Sequence, residues 1–294
     1  MIGAHKEGGL GIDRDASLGL DRPDETIYNS RINRQGEGAE KEVTPAGLFG
    51  VASDAMDEMH AKHSVYSGET PGVMTAMVAD KGKGDKIYLG SSQNNGDSVI
   101  HKTVQDEEGN DKLKYPETNR VVTEAEKKAI GKRPGLTEGA DPKHGNNAKC
   151  GEQSCIAMWE KDNPGKKLNE ADARFVTVQR KNGENEIIPP CKGKDGKGIG
   201  CEDVLKEGGA DDVRGLQKPG PYHLGNDYTT SKMELGPKNG DEERERKAAA
   251  KAEYEAREQA KKDNKAAKAA ARLAKIEAKK ARKQAEGEAS NNAE

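Results

Sequence analysis

Aromatic residues are scarce in this sequence, with one Trp, two Phe and seven Tyr among 294 residues. Hydrophobic residues make up 32% against 34% charged, so a packed core cannot run the whole length and must be concentrated in part of it. No stretch approaches the roughly 18 apolar residues of a membrane span. The opening MIGAHKEGGLGIDRD lacks the apolar segment of a secretory signal, and the expectation is a soluble chain with no membrane partner. Charge of one sign is not in excess either. The formal net charge of -3 excludes a globally basic nucleic-acid binder, although it does not exclude local patches. Only four cysteines occur, Cys150, Cys155, Cys191 and Cys201, all within 52 residues. That is too few and too bunched for a disulfide-stapled scaffold, and clustered thiols point to metal or catalysis, with ordinary disulfides or inert buried thiols as the other readings.

What is present divides the chain into three parts. Residues 1–43 are rich in Gly, Asp, Arg, Asn and Glu, with apolar residues at neither helical nor strand period, and are expected to be a disordered leader. Residues 44–235 carry the core. Thr44-Pro45 can cap a helix whose Leu48, Val51, Ala52, Ala55, Met56 and Met59 recur at three- and four-residue steps to about Lys62. Two apolar runs, 72–79 and 86–90, flank a turn-rich segment and predict a β-hairpin. Residues 91–122 read as polar and irregular, a short helix starts at Thr123, and 135–147 reads as a loop. A helix is expected from Cys150 to about Asp162, strands over 173–179 and 185–188, and a short helix from Cys201. The order is α, β, β, α, β, α.

Residues 236–294 form the third part. From Asp241 to Gly287 there are 15 Lys+Arg against 10 Asp+Glu, leaving -6 on residues 1–240. Strong helix formers dominate, and the expectation is a long charged helix. Ala267, Ala271, Ala274, Ala278, Ala281 and Ala285 make a heptad-like seam offering little area to bury, so a solvated helix, a coiled coil and an arm for a helical partner all remain open.

The chemistry lies in the cysteine window. Cys150-Gly151-Glu152 opens one helix, and Pro190-Cys191 and Cys201 flank the start of another. Helix N-termini favour thiolates, so both pieces suit a divalent metal. Three ligands, Cys150, Cys191 and Cys201, leave a fourth position open, as in catalytic rather than structural zinc sites. Glu152 is then placed to move protons between water and a substrate. The alternative is a closed four-thiolate site including Cys155, but that residue lies about 140° around the predicted helix from Cys150. His144, alone in a Gly/Asn loop, reads as a surface residue.

Cys150, Glu152, Pro190, Cys191 and Cys201 resemble the signature of the zinc-dependent cytidine-deaminase superfamily. The contexts Gly145 to Glu152 and Ile188 to Cys191 are most similar to deaminases of bacterial polymorphic toxins and their fungal relatives. The resemblance covers residues 44–235 and implies an α/β fold, a three-layer α/β/α sandwich with a central mixed sheet. It also implies a Zn2+ cofactor and hydrolytic conversion of cytosine to uracil in a polynucleotide, DNA before RNA. A free base, nucleoside or nucleotide substrate, or a non-catalytic zinc-stabilised interaction module, is the alternative. The sequence departs from the signature in having Cys at position 150 and nine residues, 192–200, between Cys191 and Cys201 instead of two. That insertion carries Lys192, Lys194 and Lys197, candidate phosphate contacts. A host enzyme of this kind would be cytoplasmic or nuclear; a toxin would be delivered non-classically and meet an immunity protein.

Overall fold

A computed structural model describes residues 9–15, 18, 25–63, 69–96, 98–100, 102–105, 111–114, 144, 148–192 and 199–235. The chain divides into units 1–238 and 239–294; the expected charged helix over 236–294 and the helix expected from Thr123 lie outside the described residues. The elements are β1 (Asp13–Arg14), β2 (Tyr28–Asn33), α1 (Pro45–His63), β3 (Val73–Val78), β4 (Lys86–Ser91), β5 (Lys102–Gln105), β6 (Asp111–Lys114), α2 (Gly151–Asp162), β7 (Arg174–Lys181), β8 (Glu184–Ile187), α3 (Cys201–Glu207), β9 (Asp211–Asp212) and β10 (Thr229–Ser231).

Helix α1 begins where Thr44 can cap it: the Thr44 hydroxyl accepts from the Gly47 amide at 3.1 Å and its carbonyl from the Leu48 amide at 2.8 Å. Strands β3 and β4 form the expected hairpin, and the mixed sheet runs β1-β2-β4-β3-β7-β8, with β10 on β2 and β9 parallel to β7. Strand alternation sends Met74, Ala76, Val78, Ile87, Leu89, Val176 and Val178 to one face, where they pack with Leu48, Val51, Ala55, Met56 and Met59 of α1. Met77, Tyr88 and Phe175 go to the other, against Ile156 and Trp159 of α2 and Val204 and Leu205 of α3. Strands covered on both faces by helices read as near-continuous apolar runs, which is what made them visible. Beyond the hairpin, β5 and β6 form a separate antiparallel pair in the stretch expected to be irregular, with the turn signal Gly109-Asn110 between them.

The disordered leader expected over 1–43 is corrected, for its described residues 9–15, 18 and 25–43, by β1 and β2. Strand β2 pairs along its length with β4 and buries Tyr28 and Ile32 in the α1-side core. Its polar residues have remote partners instead of water: Arg31 donates to Asp162 at 2.6 Å and Asn29 to Asp15 at 2.8 Å. Residues Leu10 and Ile12 are held through their amides by Glu58 of α1. A polar strand with such partners carries no period-two apolar signal, so composition alone read it as solvated. Ile32→Ala is expected to cost about 2–5 kcal/mol in urea unfolding; an unchanged midpoint would restore the leader.

Candidate metal centre

The site starts from two glycines. A Cβ on Gly151, the first residue of α2, would lie 2.4 Å from Thr75 Oγ1 and 2.6 Å from the Gly90 carbonyl. One on Gly90 would lie 2.6 Å from Ser154 Cβ. With no side chain on either, the first turn of α2 rests directly on β3 and β4. Cys150, in extended conformation at the helix cap, and Glu152, two residues on, are thereby lowered to the strand surface.

Glu152 is buried, and its Oε1 accepts from the Thr177 hydroxyl at 2.9 Å. Thr177 in turn lies 2.9 Å from the hydroxyl of Thr75, its register partner across β3 and β7, so the proton order runs Thr75 to Thr177 to carboxylate. Burial pushes the Glu152 carboxyl above the ordinary carboxylate range.

The second half comes from the far side of the 192–200 insertion. The chain returns so that α3 begins on Cys191: the Cys201 amide donates to Cys191 Sγ at 3.2 Å and the Glu202 amide to the Cys191 carbonyl at 3.1 Å. Asp203 closes the turn by accepting from the Gly200 amide at 3.1 Å. Cys201 thus reaches the centre despite the long gap. His144 corrects the expectation of a surface loop residue. It is 1% exposed, bridged to Ile199 just ahead of α3, and its Nε2 lies 3.4 Å from Cys201 Sγ and 4.0 Å from Cys191 Sγ.

One donor atom each from His144, Cys150, Cys191 and Cys201 lies within 4.8 Å of every other. The Cys150 and Cys191 sulfurs are 3.5 Å apart; two sulfurs on one tetrahedral zinc, with bonds of about 2.3 Å, stand about 3.8 Å apart. Thiols with an imidazole are a donor set zinc takes, and these four residues could hold a metal ion. Cys150 and Cys201 hydrogen-bond to Cys191, as do His144 and the Cys201 amide, and the Cys191 thiol is held well below its ordinary range. Cys150, as donor to Cys191, is pushed up, and burial pushes Cys201 up.

Cys155 does not join them. Buried beneath α2, its Sγ lies 3.4 Å from both the Thr75 and Tyr88 carbonyls, on the sheet side. Lys192 is exposed, and Lys194 and Lys197 lie outside the described residues. A cavity of 470 Å3 opens onto the centre, its wall including Asn94, Lys149, Cys150, Glu152, Ile188 and Cys191. His144 and Cys201 are not in that wall. Sequence reasoning missed His144 and Thr177, though each had a signal: a His six residues before a candidate ligand, and a Thr inside an apolar strand.

Comparison with known proteins matches the chain to no family model, no curated protein and no solved structure.

Elemental analysis should find about one zinc per chain, retained by Cys155→Ala and lost on Cys191→Ser or Cys201→Ser. Because the Cys150 and Cys201 thiols stay protonated until metal displaces their protons, zinc affinity should fall as pH falls, with proton release on binding read in weakly buffered solution. Gly151→Ala should lower both zinc affinity and unfolding temperature, since neither Thr75 nor the Gly90 backbone can move out of the way cheaply.

Proposed function

We propose that the chain is a zinc-dependent hydrolytic deaminase converting cytosine to uracil in a polynucleotide. One observation carries this reading: the buried Glu152 carboxylate stands in the same cavity wall as Cys150 and Cys191. A zinc that only staples a fold has no use for a buried carboxylate facing a cavity beside its ligands. Of the residues resembling the deaminase signature, Cys150, Glu152 and Cys191 line that wall, and Cys201 opens α3 against Cys191. Helices on both faces of a mixed sheet, with thiols at the N-termini of α2 and α3, further support membership of that superfamily.

Bound to this thiol set, zinc supplies a Lewis acid that makes water nucleophilic near neutral pH. The chain's own residues do the rest. Glu152, fixed through Oε1 by Thr177, takes a proton from the attacking water and gives it to ring N3. A second proton follows through Glu152 to the exocyclic amine, the C4–N bond breaks, and ammonia leaves; one water is consumed and uracil remains. A cavity of 470 Å3 admits one base with part of its sugar, so a polynucleotide must present that base flipped or unpaired. The Lys149 ammonium at the cavity wall donates to the Asn95 and Gly96 carbonyls, and the exposed Lys192, next to Cys191, is the cation this reading assigns to a backbone phosphate.

A second reading has its own observation: with His144, four protein donors are gathered, enough to close a structural zinc site in an interaction module. The test is conversion of C to U, scored by mass spectrometry, in single- and double-stranded DNA, RNA and free cytidine. Glu152→Gln is expected to lose at least about 100-fold in turnover while keeping its zinc. Zinc-loaded protein that converts nothing would hand the site to the module reading.

A further inference from the structure

We propose that His144 is not a fourth ligand but a positioning residue. Its Nε2–H donates to the sulfurs of Cys201 and Cys191, leaving Cys150, Cys191 and Cys201 as the protein ligands. The inference deepens the function proposed above and rests on zinc binding at this centre.

The deciding group is the backbone amide of Ala148. It donates to His144 Nδ1 at 3.2 Å, and the direction of a backbone N–H is set by the peptide plane, not by a choice of rotamer. Ala148 holds this aim in the left-handed region, at φ 54°, an uncommon conformation for a residue with a Cβ. A ring nitrogen that accepts has its lone pair in use, so the proton of the neutral ring is on Nε2. That nitrogen faces Cys201 Sγ at 3.4 Å and Cys191 Sγ at 4.0 Å. An imidazole that ligates metal through one nitrogen presents the other as N–H to a carboxylate, carbonyl or water. At His144 the other nitrogen meets an amide donor, so the polarity is reversed. Turning the ring over would put carbon against both partners, so the orientation is the one both contacts favour.

Two further observations agree. Cys150, Cys191 and Glu152 face the cavity, whereas Cys201 and His144 both lie behind its wall, His144 bridged to Ile199, so the imidazole stands against a sulfur that is itself turned from the open side. Three thiolates on a divalent cation leave a net charge of -1, which weakens its pull on a ligand. Hydrogen bonds onto sulfur draw off that charge, and the centre has several: His144 and Gln153 Nε2, at 4.0 Å, on Cys201, and the Cys201 amide on Cys191.

The test is X-ray absorption at the zinc edge on the zinc-loaded full chain. The wild-type spectrum should show three sulfurs and one light scatterer, with no outer-shell imidazole pattern, and His144→Ala should keep the same first shell. Its zinc affinity should fall by about 10- to 100-fold, with His144→Gln, whose amide can still donate, recovering most of the loss. An imidazole pattern in the wild type overturns the proposal, whether or not His144→Ala folds. Deamination is assayed on the same preparations: turnover alongside an imidazole pattern overturns this inference and leaves the deaminase reading standing. A three-sulfur spectrum with no turnover keeps the inference and overturns that reading.

Discussion

The contact between the first turn of α2 and the hairpin beneath it governs the geometry of the centre. Gly90 and Gly151 face each other with no room for a methyl group on either, and the distance they permit brings a carboxylate on the helix within reach of a hydroxyl on β7. Raise the helix by the width of one methyl and Glu152 leaves Thr177 while Cys150 withdraws from Cys191. The pair of threonines below is equally dependent on the strands: Thr75 and Thr177 meet because β3 and β7 are in that register and because both residues point to the α2 face.

The centre is assembled from two helix starts held in different ways. Cys150 is placed by packing, through the glycines. Cys191 and Cys201 are placed by backbone hydrogen bonding at the head of α3, where amides that have no partner within a helix find sulfur and carbonyl instead. This second device tolerates the long insertion, because what returns to Cys191 is an amide and a cap, irrespective of the number of residues between. Protons are distributed to match: one thiol collects the hydrogen bonds of its neighbours, so the cluster tolerates burial without three adjacent negative charges.

The hairpin, α1, α2 and β7 were legible in the sequence because each is buried on a continuous face, and Thr44-Pro45 and Asn163-Pro164 mark ends that chain stiffness enforces. Cys150, Glu152, Cys191 and Cys201 were legible from residue type and order. Strand β2 was not, since Asn29 and Arg31 take their partners from residues far along the chain, and no local window contains Asp162 or Met233. His144 was not, because a bridge to Ile199 gives it its burial, and a lone histidine among glycine and asparagine looks the same whether or not such a bridge exists.

The outer edge of the sheet joins residues that are made far apart in time. Asn29 bonds to Met233 and Asp15 to the Leu235 amide, at separations of 204 and 220 residues, and β10 lies along β2. At a synthesis rate of about 5–20 residues per second, β2 waits on the order of 10–40 s for that neighbour, exposing an unpaired strand edge meanwhile. Cys150, Cys191 and Cys201 all emerge before Thr229 does. The cysteines can therefore gather on the nascent chain while β2 still lacks β10 along its outer edge.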